Sequence, residues 1–443
     1  MVLKQPLKYL AVALALAWAG PALSSPVEAN PVIPDAFEDI DDVPLPDPDL
    51  WHRIRVGFVM EPLDSPRVQE AEAWYAARPD YIKRFVDRGS LYLHYIVGEV
   101  QKRGMPMEIA LLPVVESAFN PHAYSRSKAS GLWQFIPSTG KSYGLSQDWW
   151  KDNRRDVVSA TDAALTYLQR LHSMFNSWEL ALAAYNCGEG CVGRAIAANQ
   201  KKGLPTDYLS LKLPPETLGY VPKLMAVKNI VLSPTTYGID LESVPDQAYF
   251  TAVPAPEKID VKLAAKLAGM SEEEFVALNP SNNNAVAIAR TGTLLVPLDK
   301  ADAFRSNLEG YDKPLVTWTT VQGKKGESLN GLAARHGVAA HELRAANGAV
   351  KLNKKGNLVA TQSILVPAKG AAMAKAVPAV NNVKVASATP VPIRNAPQSY
   401  VVRPGDTLYG IALRFEAELE ELLSLNKLTP KSVIQPGLKL RLP

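Results

Sequence analysis

The sequence predicts an α+β chain of several domains, a mainly helical region followed by small strand–helix–helix–strand modules. Two observations predict it. Between Trp51 and about Tyr237 apolar residues recur at helical spacing; Tyr92, Tyr95, Ile96 and Val100 show the three- and four-residue intervals of an inner helix face. The C-terminal part contains a repeat. Gly405-Asp-Thr-Leu-Tyr-Gly-Ile-Ala412 aligns with Gly326-Glu-Ser-Leu-Asn-Gly-Leu-Ala333, and Leu422 to Asn426 aligns with Leu343 to Asn347. The chain has 443 residues, room for about two to four domains that each bury a core.

The elements follow in order. Lys4 and Lys8 precede the apolar run Tyr9 to Ala19 and then small residues, so residues 1–24 read as an export signal cleaved after Ala22 or Ser24. The run falls short of the about 20 residues of a membrane-spanning helix; an uncleaved anchor is the alternative. Residues 25–50, rich in Pro and Asp, read as a disordered acidic tether. The helical domain spans 51–240. Gly104 and Pro106 punctuate before a helix over Glu108 to Glu116. Thr161 to Met174 reads as another, with Asp162 near its positive end and an apolar stripe of Leu165, Leu168 and Leu171. A helix over Ala181 to Tyr185 ends at a Gly-rich turn.

The modules read as 317–368 and 399–443, joined by a flexible Ala/Val/Pro-rich linker at 369–398. A degenerate third copy falls at 250–298, where Val261, Ala264, Ala265, Phe275 and Asn279 are in register and Leu294 to Pro297 close it. In the last copy Pro404-Gly405 makes a turn, Asp406 or Thr407 caps the first helix, and Leu408, Ile411 and Ala412 face the core.

Composition narrows the function. The net charge is +4, with no dense Lys/Arg block, so nucleic acid is not a predicted partner. The only cysteines, Cys187 and Cys191, flank Gly188-Glu-Gly190. In an oxidising compartment they close a small disulfide over a turn; otherwise they stand as free thiols. A metal site needs more ligands than this pair supplies. None of the six His residues forms His-Glu-x-x-His, and serine-hydrolase signatures are missing. No metal and no cofactor is predicted.

The chemistry centres on Glu116, at the end of the apolar run Ala110 to Val115. Apolar surroundings make a carboxyl group harder to ionise. A carboxylic acid kept protonated near neutral pH can donate to a glycosidic oxygen. A solvated helix end is the plainer alternative for a lone Glu. The residues that follow weigh against it: Ser117, Phe119, Pro121, Ala123, Ser125, then Gly131, Leu132, Trp133 and Gln134.

This run resembles the first motif of the lytic transglycosylases of the soluble, goose-lysozyme-related type, with Trp133 in a position held by Met. Ala183 to Asn186 with Gly188, Gly190 and Val192 resembles their second block, and Glu216 to Lys223 resembles the last, which carries a Tyr. The resemblance covers roughly residues 70–235. With Ser138 to Gly140 and Tyr143 to Leu145 included, it is closest to the membrane-bound lytic murein transglycosylase D group. Lys128 departs from the pattern, which has Gly there. That group usually carries a lipid-bearing Cys after the signal. This chain has none at that place, so the expectation is a soluble, monomeric, wall-associated enzyme in the periplasm of a Gram-negative bacterium, with no lipid anchor. The repeated modules resemble LysM domains, which bind N-acetylglucosamine-containing glycans such as peptidoglycan.

The resemblance implies a lysozyme-like fold for the catalytic domain and cleavage of the MurNAc–GlcNAc β-1,4 bond with formation of 1,6-anhydro-MurNAc. Glu116 would act as acid and then base, and Tyr220 would orient it. Tyr185 and Asn186 would hold the sugar near its N-acetyl group, unless Tyr185 is a core aromatic. Ser125 and Gln134 would contact the saccharide. Trp133 would stack on a sugar face or pack beneath the cleft. Asp148, Asp152, Asp156 and Glu189 are available as a second acid, yet each reads as a loop or cap residue. One acid suffices where the substrate supplies the nucleophile. A lysozyme-type hydrolase and a non-catalytic wall-binding adaptor are the rival readings.

Overall fold

The structure, a computed structural model, describes residues 49–368, 399–402, 419–428, 435 and 437–442. The expected export signal, nearly all of the acidic tether, the 369–398 linker and the turn, cap and core residues read at 404–412 lie outside the described residues. Residues through 373 belong to one compact unit and 374–443 to a second. Among the described residues no helix is long and apolar enough to cross a membrane.

Ten helices build the first region: α1 (Leu50–Val56), α2 (Pro66–Ala76), α3 (Pro79–Gly89), α4 (Leu93–Lys102), α5 (Leu112–Ser117), α6 (Pro137–Ser142), α7 (Val157–Phe175), α8 (Trp178–Cys187), α9 (Glu189–Gln200) and α10 (Pro215–Leu232). Asp49, Asp156 and Ser177 cap α1, α7 and α8 through their side chains, each satisfying a backbone N–H that the first turn leaves unpaired. The Leu165, Leu168 and Leu171 stripe of α7 is buried.

One expected helix is divided. Glu108 to Glu116 forms a 3₁₀ turn (Met107–Leu111) and then α5. Pro113 explains the break. Inside a continuous helix it would remove a hydrogen bond and clash with the preceding turn; in the first turn of a new helix its missing N–H costs nothing.

The 3₁₀ turn is fixed from within. Glu108 is fully buried and pairs with Lys228 of α10 at 3.0 Å. Its other acceptor sites take the N–H groups of Met60 (3.0 Å) and Val59 (3.3 Å), and Lys228 also donates to the Met60 carbonyl. The pair ties the chain just ahead of α5 to the C-terminal part of α10.

The first module is larger than the expected four elements. It has β1 (Phe250–Pro254), β2 (Lys258–Asp260), α11 (Val261–Leu267), α12 (Glu272–Leu278), β3 (Val286–Ile288), β4 (Thr293–Pro297) and α13 (Ala301–Glu309). β1 pairs antiparallel with β4, Ala252 opposite Leu295, and β2 with β3, Ile259 opposite Ala287. α13 adds Phe304 to the core. The second module has β5 (Trp318–Gly323), α14 (Leu329–Arg335), α15 (Ala340–Ala346) and β6 (Gln362–Pro367), with Val321 opposite Ile364. Of the third, β7 (Ser399–Val401), α16 (Leu419–Asn426) and β8 (Lys439–Arg441) are described, with Tyr400 opposite Leu440.

One asparagine recurs in all three. The side chain of Asn279 donates to the Leu295 carbonyl (2.7 Å) and accepts from its N–H (2.9 Å). Asn347 does the same with Leu365 (2.9 and 2.7 Å), and Asn426 with Arg441 (2.8 and 2.7 Å). A primary amide offers a donor and an acceptor side by side. It therefore mimics a neighbouring strand and clips the end of the second helix to the closing strand.

The first module packs on the helical region. Asn283 donates its backbone N–H to Trp150 (2.8 Å), Asp152 donates to Ser281 (2.8 Å), and the Tyr92 hydroxyl donates to Ala277 (2.8 Å). Trp149 and Trp150 close a small apolar cluster with Val286, Ile288 and Leu365.

Candidate active site

Glu116 stands in the last turn of α5. The helix stops there because Ala118 and Phe119 both turn into the left-handed region, at φ 49° and 53°. Such a conformation is costly for residues with a Cβ. It is held by Phe119, which is fully buried against Gly89, where an added Cβ would sit 3.0 Å from the ring. The N–H groups of Ala118 and Phe119 return to the carbonyls of Val114 and Pro113, each at 3.2 Å. The turn leaves Glu116 half-buried beside α10.

There the Tyr220 hydroxyl donates to Glu116 Oε1. Burial pushes the Glu116 carboxyl up to about 7. The Tyr220 hydrogen bond opposes the rise, the charge of Glu216 adds to it, and Lys223 opposes it. Tyr220 itself is pushed well above its ordinary value, by burial first and then by the Glu116 charge. A share of the carboxyl thus stays protonated near neutral pH, with the Tyr220 hydroxyl bonded to it.

Tyr185 is held nearby: burial and then the Glu116 charge raise its pKa well above the usual value. Its hydroxyl donates to the Trp133 carbonyl at 2.8 Å. Asn186 accepts from Thr217 Oγ1 at 2.7 Å, which links α8 to α10 one turn ahead of Tyr220. Cys187 and Cys191 form a disulfide, with Cα atoms 5.9 Å apart. It joins the end of α8 to the first turn of α9 beside Asn186.

The loop from Asn120 to Phe135 is fastened along its length. Ser125 Oγ accepts from the Ala129 N–H at 3.0 Å. The Gln134 side chain donates to Gly131 (2.8 Å) and Ala123 (3.2 Å). Ser117 Oγ donates to Leu132 at 2.9 Å. The Arg154 guanidinium donates to the carbonyls of Lys128 and Phe135 and pairs with Asp152 at 2.6 Å. Gly131 has φ 87°, and a Cβ there would lie 2.1 Å from the Arg154 carbonyl oxygen, so no other residue fits. Lys128, which departs from the transglycosylase pattern, has φ 63°. That is a conformation glycine adopts without penalty; here a lysine takes it and the loop closes.

The stacking role expected for Trp133 is overturned. Its side chain is 0 % exposed, and its indole N–H donates to Thr161 Oγ1 at 3.0 Å inside the core. It offers no face to a sugar and packs beneath the loop. The candidate second acids are all engaged. Asp148 pairs with Arg290, Asp152 with Arg154, Asp156 caps α7, and Glu189 accepts from Tyr167 at 2.9 Å.

Sequence reasoning passed over three residues here. Glu216 and Lys223 tune Glu116 by charge. They stand four residues before and three after Tyr220, the spacing of one helix face, and that spacing was the available signal. Arg154 had only its neighbour Asp152 as a signal, because the carbonyls it fastens, those of Lys128 and Phe135, lie far away in sequence.

Residues 95–206 match the transglycosylase SLT domain. Residues 249–313 match the LysM-like domain of lytic transglycosylase MltD, and 324–367 and 400–443 match the LysM domain. The 249–313 match runs past the expected 250–298 and takes in α13. These matches and the arrangement around Glu116 define an SLT-type transglycosylase carrying LysM modules. The chain is 35% identical over 410 residues to membrane-bound lytic murein transglycosylase D of Escherichia coli strain K12, covering 90% of this chain and 86% of the relative. It belongs to the membrane-bound lytic murein transglycosylase D family. It is also 47% identical over 119 residues to a putative tributyltin chloride resistance protein of Alteromonas sp., covering 27% of this chain and 58% of that one. An inactive mutant of lytic transglycosylase Slt from Pseudomonas aeruginosa aligns with 34% of this chain and 26% of its own, at 26% identity and a TM-score of 0.26.

Proposed function

We propose that the chain cleaves peptidoglycan at the MurNAc–GlcNAc β-1,4 bond in the periplasm and releases 1,6-anhydro-MurNAc ends, with its LysM modules holding it to the wall. The observation that carries this reading is the single half-buried carboxyl raised to about 7 under the Tyr220 hydroxyl. Protonated Glu116 gives its proton to the leaving glycosidic oxygen as the C1–O bond breaks. The acetamido oxygen of the same sugar attacks C1 and forms an oxazolinium. Glu116, now a carboxylate, takes the proton of the 6-hydroxyl, and O6 displaces the acetamido oxygen from C1. No water enters, and the carboxyl ends as it began. A pKa near the working pH suits a group that must both give and retake a proton. Tyr185 and Asn186 line the sugar's place beside the acid, with Ser125 and Gln134 on the loop wall.

A second reading has one observation in its favour. The charge of Glu216 reaches Glu116, so a two-carboxylate hydrolysis with Glu216 activating water is the competitor. Two variants tested on sacculus suspensions separate them. Glu116→Gln loses lysis on either reading, and its retention of wild-type lysis would remove Glu116 from the chemistry. Glu216→Gln keeps most of the activity on the proposed mechanism, whereas loss as deep as in the first variant favours hydrolysis.

A further inference from the structure

The loop of the first module between α12 and β3 lies against the helical region and is given over to holding one short segment of it. Asn283 makes most of the contact. Its backbone N–H donates to the Trp150 carbonyl (2.8 Å), and its side-chain amide donates to the carbonyls of Asp148 (3.0 Å) and Trp149 (3.3 Å). Its side-chain oxygen accepts from the Arg155 guanidinium. On either side of it, Asn284 donates to the Trp149 carbonyl at 2.9 Å, and the Ser281 carbonyl takes the Asp152 N–H at 2.8 Å. Nearly all of these partners are main-chain groups, so the loop fixes the path of the chain from Asp148 to Asp152.

The far side of that segment backs the Asn120–Phe135 loop. Asn153–Arg155 form a 3₁₀ turn, and the Arg154 guanidinium donates to the carbonyls of Lys128 and Phe135. A Cβ on Gly131 would lie 2.1 Å from the Arg154 carbonyl oxygen and 3.2 Å from the Arg155 Cα, so the backbones of turn and loop pack directly. Arg155 also stands beside His122: burial first, and then the Arg155 charge, lowers the imidazole pKa. The turn therefore has the loop on one side and the first module on the other, and Arg155 reaches both. The loop needs such a backing. Lys128 and Gln134 hold left-handed conformations, at φ 63° and 49°, whose cost the surroundings must offset.

We propose that Asn283 is a positioning residue of the cleft: through Arg155 it fixes the loop that carries Ser125 and Gln134. The first module is then a buttress of the active site and not a wall anchor alone. Asn283 itself touches no substrate. A loop that contacts the saccharide equally in the ground state and the transition state raises KM when it loosens and leaves kcat in place. Glu116 and Tyr220 stand on α5 and α10, outside these contacts, so the acid keeps its pKa. The effect on KM rests on the reading that Glu116 cleaves a glycan; the effect on the loop does not.

The test combines hydrogen exchange and kinetics on the full chain. The amides of Ala129 and Ser130 bond to Ser125 Oγ and to the Phe135 carbonyl. In Asn283→Ala they should exchange about tenfold faster, because a hydrogen bond to a charged group is lost. KM on a soluble glycan should rise by a similar factor, with kcat, the alkaline limb of the pH profile and pull-down on sacculi unchanged. Arg155→Ala breaks the contact from the other side and should do the same, and the double variant should lose no more than the worse single one. Arg290→Ala is the control. It removes the Asp148 ion pair between the same two regions, leaves Arg155 alone, and should keep wild-type exchange and KM. Wild-type exchange at Ala129 and Ser130 in Asn283→Ala overturns the proposal. So does an equal loss in Arg290→Ala, which reduces Asn283 to module docking, and so does weaker pull-down with unchanged KM, which gives Asn283 to glycan binding. If the wild-type chain turns over no glycan, the parent reading fails, and the exchange result still decides whether Asn283 holds the loop.

Discussion

Replacing Tyr220 by Phe should move the pH at which the enzyme loses its acid. The Tyr220 hydroxyl donates to Glu116, and a bond to the ionised form favours ionisation. It is one of two influences holding the carboxyl down against burial and the Glu216 charge. A hydrogen bond to a charged group contributes about 1.5–3 kcal/mol, and one pKa unit corresponds to about 1.4 kcal/mol. Phe keeps the buried ring and removes only the hydroxyl, so the Glu116 pKa should rise from about 7 by roughly one to two units. The acid must be protonated at the start of the cycle. Activity is therefore full below its pKa and falls above it. In Tyr220→Phe the alkaline limb of kcat/KM shifts upward, while the absolute rate drops because the carboxylate that must act as base has lost its orienting partner. A profile of kcat/KM against pH on a soluble glycan reads both effects. An alkaline limb at or below its wild-type position would refute the assignment of this hydrogen bond.

Three further outcomes follow from the same structure. Glu116 has its folded pKa raised from 4.5 to about 7, so the folded state is penalised as pH rises from about 4.5 through 7; Glu116→Gln should gain up to about 3 kcal/mol above that window and nothing below it, read from denaturant midpoints at pH 4 and pH 8. Glu108→Gln leaves Lys228 charged and buried without its ion-pair partner, and should lose about 3–5 kcal/mol, seen as a drop in melting temperature with the domain still helical by circular dichroism. Replacing Cys187 and Cys191 by Ser opens a short loop between α8 and α9 and should cost about 2 kcal/mol on a chain-entropy basis, measured by chemical denaturation; equal stability with and without reductant would count against the bridge.

What could be read from the sequence depended on whether the cause was local. Glu116 was legible because the apolar run that desolvates it precedes it directly in the chain. The modules were legible because Asn279, Asn347 and Asn426 each close the second helix onto a strand within about twenty residues, so the repeat preserves them in register. The Glu108–Glu116 helix was misjudged because periodicity outweighed Pro113, which the chain resolves by starting a new helix. The sequence alone leaves Trp133 between stacking on a sugar and packing beneath the cleft, because the direction of the indole is set by the fold, where it follows the left-handed Gly131 (φ 87°) and donates to Thr161. The spacing of Glu216 and Lys223 puts them on the helix face of Tyr220, but their reach to Glu116 shows only in the folded chain, where α5 meets α10.

The central claim, that one carboxyl and the substrate's own groups perform the cleavage, is tested most directly by mass spectrometry of the muropeptides that the purified protein releases from sacculi. The account predicts products ending in 1,6-anhydro-MurNAc, each one water lighter than the corresponding hydrolysis product. Products with only reducing ends would contradict it, and would place Glu216 or another group as the base that activates water.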